Sequence, residues 1–92
     1  MPVAIEMDFP GATLAQYDEV IEKMGLTDGG VPPGAIFHWV AETPDGLRVV
    51  DVWETREQFE QFAEEQIGPY TREVGIESEP TMKFHDVHNH LS

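Results

Sequence analysis

Three of the four histidines in this 92-residue chain crowd into His85-Asp86-Val87-His88-Asn89-His90, a density that suggests either metal ligation or proton transfer. Backbone geometry separates the two. Along an extended strand side chains alternate, so Asp86, His88 and His90 share one face while His85 points to the other. Three ligands at alternate positions span roughly 13 Å, more than a single ion bridges. A metal site then needs two of them joined by His38 from another strand, whereas a strong zinc pattern holds its ligands closer, as in a helical H-E-x-x-H. We therefore expect no metal. His90 and Ser92 read as tail.

Proton transfer needs less. A histidine beside a carboxylate works as a general base near neutral pH, because the carboxylate fixes the tautomer and stabilises the imidazolium. His88 with Asp86 on its face is one such pair; the alternative is a structural histidine bonded to backbone or solvent. Asp51, between Val50 and Val52, is the least expected polar residue of the chain. A buried carboxylate has to be paired or protonated, a condition found in catalytic sites and structural networks alike. Arg48 lies on the opposite face of the same strand and is not its obvious partner. Tyr17, His38, Trp53 and Phe62 offer flat surfaces for an aromatic ligand, although aromatics on such stripes also serve as core. Cysteine is absent, which excludes thiolate nucleophiles, disulfides and Cys-ligated zinc.

These residues must be positioned by elements that the pattern outlines well. Val3, Ile5, Met7 and Phe9 alternate with polar residues as a half-buried strand ending at Pro10-Gly11. Residues 13–25 then form a helix, with Thr13 and Gln16 at capping-box spacing, a stripe of Leu14, Tyr17, Ile21 and Met24, and Gly25 as its stop. Residues 25–34 are rich in Gly and Pro, forming either a plain connector or an edge over a cavity. Residues 35–43 and 47–54 are strands joined by Pro44-Asp45-Gly46, a hairpin turn. Neither strand alternates cleanly; both carry apolar groups on two faces. A second capped helix starts after Thr55, buries Phe59, Phe62, Ala63 and Ile67, and is interrupted at Gly68-Pro69, with a short helical extension to follow. Residues 81–91 read as the last strand.

The order β-α-β-β-α-β in 92 residues predicts one α+β domain, 1–92, of ferredoxin-like topology: a four-stranded antiparallel sheet with two helices on one face. Because the middle hairpin is apolar on both faces, the uncovered face needs a partner, and a homodimer packed sheet to sheet supplies one. Eighteen acidic against five basic residues give a formal charge of -13, which argues against nucleic acid and anionic membrane surfaces and suits a solvated acidic exterior or a cationic partner. No segment reaches a membrane span or a signal peptide, so a cytoplasmic location is expected.

At Val49–Phe62, where a strand ending in Trp53-Glu54 runs into a capped helix carrying Phe59 and Phe62, the chain resembles the dimeric α+β barrel superfamily and, within it, the antibiotic biosynthesis monooxygenases. The resemblance implies a ligand cleft between the helices and the concave sheet. It also implies the activity of small cofactor-independent monooxygenases on aromatic or polyketide-like metabolites, with no cofactor. There the helix side of the last strand would bring Asp86 and His88 to the end of the cleft, with His88 as the base that removes a phenolic proton. In such a dimer the second strand lies near the partner's last strand, which turns His38 toward the interface. Phe62 stands where family members often carry a histidine. The first strand has no Asn, so the set expected for haem degradation is missing. The second hypothesis is a non-catalytic dimeric barrel that binds a ligand or serves in stress.

Overall fold

The computed structural model describes residues 2–27, 29–76 and 79–91, so residue 28 of the Gly/Pro-rich loop and Ser92 of the tail lie outside the described residues. Strand β1 (Val3–Pro10) alternates as its sequence does: Val3, Ile5, Met7 and Phe9 are buried, and the residues between them are not. Helix α1 (Leu14–Met24) has both arms of the capping box, Gln16 N–H to the Thr13 hydroxyl and the Gln16 side chain to the Thr13 N–H. Such a cap contributes about 1 kcal/mol. Gly25 ends the helix in the left-handed region, at φ 78°. The inward stripe keeps Tyr17, Ile21 and Met24 of the expected set and adds Val20. Val20 is its buried centre, while Leu14 is 41% exposed, because the helix turns Tyr17, Ile21 and Met24 about Val20 toward the sheet.

Strands β2 (Ala35–Thr43) and β3 (Gly46–Trp53) form the hairpin. Its loop is only Pro44-Asp45, since Thr43 already pairs with Gly46. Phe37 opposite Val52, His38 opposite Asp51 and Trp39 opposite Val50 follow from that register, which shifts between Ala35 and Phe37. The shift explains the irregular pattern of β2. One extra residue lets Ala35 share the helix-facing side with His38 and Val40, while Phe37 and Trp39 face away.

Helix α2 (Arg56–Phe62) is capped by Thr55, whose hydroxyl accepts from Gln58 N–H, and it buries Phe59. The expected interruption at Gly68-Pro69 is instead a π turn (Ala63–Ile67) that carries the helix on into α3 (Gly68–Glu73). In a regular α-helix Pro69 would lack its N–H and press on the Glu65 carbonyl. The wider turn, closed by Gly68 N–H to the Ala63 carbonyl, gives that ring room. Strand β4 (Thr81–Asp86) is shorter than expected, and His88 lies beyond it.

The sheet is antiparallel in the order β2-β3-β1-β4, the ferredoxin-like α+β arrangement. On its covered side Ile5, Met7, Trp53 and Phe59 are the most buried large residues. Trp53 packs against Phe59 and Phe62 at 5.9 and 5.2 Å, and Phe59 meets Phe84 edge-on at 5.8 Å. Burying each of these large apolar side chains stabilises the fold by about 1.5–3 kcal/mol.

Candidate active site

Between the helices and the sheet lies a cavity of about 350 Å³. Its floor is the covered face of β1 and β3, α1 and the second helix form its sides, and Gly29-Gly30-Val31-Pro32 forms its rim. Residues 29–32 of the Gly/Pro-rich loop therefore border the cavity. Nearly all of the lining is apolar, with one polar wall built by three elements. Tyr17 projects from α1, His38 from β2 and Asp51 from β3.

These three side chains form one hydrogen-bonded chain. His38 Nδ1 and Asp51 Oδ1 are 2.5 Å apart, and His38 Nε2 lies 2.5 Å from the Tyr17 hydroxyl. Trp53 Nε1–H donates to the second Asp51 oxygen at 3.2 Å. Asp51 is 5% exposed, so both oxygens have exchanged water for protein donors. A carboxylate only accepts, which places a proton on His38 Nδ1. Nε2 then carries the lone pair and accepts from the Tyr17 hydroxyl. The Tyr17 and His38 rings stack with centroids 5.9 Å apart and planes 8° from parallel. Burial, helped by the nearby Asp51 and Asp18 charges, raises the Tyr17 pKa above its ordinary value of 10.0, so Tyr17 is a neutral donor at physiological pH. The wall is poised to accept a proton at Tyr17 as Tyr17 passes its own to His38.

Solved structures match this architecture. SnoaB, a cofactor-independent oxygenase from Streptomyces nogalater, aligns over 98% of this chain and 95% of its own with a TM-score of 0.60 and 17% identity. A point variant of it gives 0.62 at 13% identity. The monooxygenase from the gene ActVA-Orf6 of Streptomyces coelicolor, solved with nanaomycin D, aligns over 99% and 90% with a TM-score of 0.52 and 23% identity. The chain shares the fold of these solved structures. At the level of sequence, neither a family model nor a curated protein matches it.

Within this fold the residues singled out from sequence separate into two groups. Tyr17, His38, Asp51, Trp53 and Phe62 all line the cavity. His38 faces the cavity, not the open side of the sheet, because the hairpin register sets it opposite Asp51. Asp86 and His88 do not line the cavity. Asp86 pairs with Val3 and so keeps to the helix side, but it is exposed in a shallow depression beside Thr55, Arg56 and Phe84. His88 is exposed past the end of β4, where alternation no longer directs it. His85 falls opposite Ala4, on the open face. Among the described residues no three His, Asp or Glu side chains converge as a metal site, and no helix is long and apolar enough to cross a membrane.

The contact that sequence reasoning missed is His38 with Asp51. Its signal was present: counting outward from the Thr43–Gly46 pair, five steps along each strand bring the two residues face to face. A three-residue loop, with β3 starting at Leu47, hides it.

Proposed function

We propose that this protein is a small oxygenase that deprotonates an aromatic or polyketide-like phenol or enol and passes the resulting anion to dioxygen. The observation that carries this reading is the Tyr17–His38–Asp51 chain in the one polar wall of an otherwise apolar cavity. A cavity of 350 Å³ is at the small end of the range for small-molecule sites and suits a bicyclic or tricyclic compound. The substrate's hydroxyl approaches Tyr17 Oη. Its proton moves to Tyr17 while the Tyr17 proton moves to His38 Nε2, and Asp51 stabilises the imidazolium. The electron-rich anion then reduces oxygen directly. For an anthrone-like substrate the ring CH2 becomes C=O, one oxygen atom enters the product and the other leaves as water, with all electrons coming from the substrate. The scheme uses no cofactor, and SnoaB is likewise a cofactor-independent oxygenase. The base is His38 in this scheme, since His88 stands outside the cavity.

Oxygen uptake with an anthrone or quinol tests it. His38→Gln is expected to lower the rate by about 10²–10⁴, and His88→Ala to leave it unchanged. An unchanged rate in His38→Gln would refute the assignment.

We further propose a homodimer. Phe37 and Trp39 are 45% and 40% exposed on the uncovered face, beside Val50 and Val52. Contiguous apolar surface of this kind favours a second copy laid sheet to sheet.

A further inference from the structure

The chain has only five lysines and arginines, all among the described residues, and none of them lines the cavity. Lys23 pairs with Glu73 at 3.1 Å and Arg48 with Asp8 at 2.8 Å. Arg56 lies 4.0 Å over the Phe84 ring and 3.6 Å from Glu60. Arg72 and Lys83 are exposed on α3 and β4. His38 is the one histidine in the cavity wall, and both its ring nitrogens are engaged. The Thr71 hydroxyl, the remaining polar side chain of the lining, donates to the carbonyls of Ile67 and Gly68. With His38 neutral the wall carries the Asp51 charge, and with His38 protonated it carries no net charge. With Asp51 ionised it is not positive in either state.

We infer that the cavity selects uncharged aromatic hydroxy compounds and rejects their carboxylated analogues. This rests on the reading of the same site as one that takes an aromatic phenol. A carboxylate-bearing ligand would bring a second anion into an apolar space next to Asp51, where no cation offsets its loss of hydration. A phenol escapes that cost because its charge develops only as His38 gains the proton, so wall and ligand together keep the same net charge throughout. The formal charge of -13 adds a field of the same sign outside. The natural substrate therefore carries no free carboxylate into this cavity.

The experiment compares binding of a hydroxynaphthalene, a hydroxynaphthoic methyl ester and the free hydroxynaphthoic acid to the full chain, followed by Trp fluorescence at neutral pH. The parent and the ester are expected to bind alike and the acid more weakly by about ten-fold or more. The difference should persist in about 1 M salt, where exposed charges are screened beyond roughly 3 Å. Val31→Lys, at a rim position that is 52% exposed, should bring the affinity for the acid closer to that for the ester, read as the ratio of the two. Equal binding of acid and ester overturns the inference, as does a difference that salt abolishes or a lysine variant that leaves that ratio unchanged. If none of the three compounds binds, the aromatic site itself falls and the inference with it. If the neutral pair binds and the acid does not, charge selection stands even where no turnover is seen.

Discussion

Tyr17 is held between a buried imidazole and an apolar cavity, and its chemistry should show in its titration. Of the two tyrosines in the chain, Tyr17 is expected to ionise above the ordinary phenol value, read as a late step in ultraviolet absorbance. The sign for stability follows from linkage. The unfolded chain releases this proton near pH 10 and the folded chain holds it, so stability falls as pH rises above 10. Tyr17→Phe should remove that alkaline component. Asp51 gives a sharper separation of fold from function. In Asp51→Asn the amide N–H can donate to His38 Nδ1 while the amide oxygen still accepts from Trp53, which forces the proton of His38 onto Nε2. The hydrogen bonds are conserved but the tautomer is reversed, and Tyr17 loses its acceptor. Turnover should fall by about 10²–10⁴, with a stability change in urea unfolding below about 1.5 kcal/mol. Asp51→Ala, which orphans both donors, should cost about 1–3 kcal/mol. Equal losses of stability in the two variants would contradict this account.

At the scale of elements the hairpin is decisive. Gly46 opens β3 where a Cβ would lie 2.1 Å from the Phe9 carbonyl oxygen and 2.7 Å from Gly11 N, both backbone atoms that cannot swing aside. Gly46→Ala is expected to destabilise by about 1–3 kcal/mol through overpacking. It should also perturb the site, because the two-residue loop sets the register that joins His38 to Asp51. A variant with wild-type stability and activity would show that the turn does not hold that register. Much of this level was legible in sequence: both helix caps, the glycine stop and the alternation of β1 are local devices that need no tertiary partner. The π turn was less so. Pro69 signals a break, and only packing of Phe62 and Ile67 against the sheet keeps the helix going through it.

For the whole molecule, the uncovered sheet face sets the expectation. Trp39→Glu places a charge in the centre of the proposed dimer contact without touching the cavity, since Trp39 faces away from His38. Sedimentation at micromolar concentration should report a dimer for the wild type and a monomer for the variant. A wild-type monomer would overturn the homodimer. The same face carries the Arg48–Asp8 pair, which holds the Asp8 carboxyl below its ordinary pKa through the Arg48 hydrogen bond. As an exposed pair it contributes little to stability.

The sequence by itself determined the order of elements, the antiparallel sheet, the helix-facing side of β1 and the aromatic core around Trp53, because period, caps and turns act over a few residues. It also contained the pairing of His38 with Asp51, once the hairpin loop is counted as two residues. Only the tertiary structure decided that α1 would bring Tyr17 onto His38, that a cavity would stay open beside them, and that His88 would be left outside β4. Those outcomes depend on how far a helix stands from a sheet and where a strand stops pairing, which are set by the sum of many packing contacts and by no local pattern.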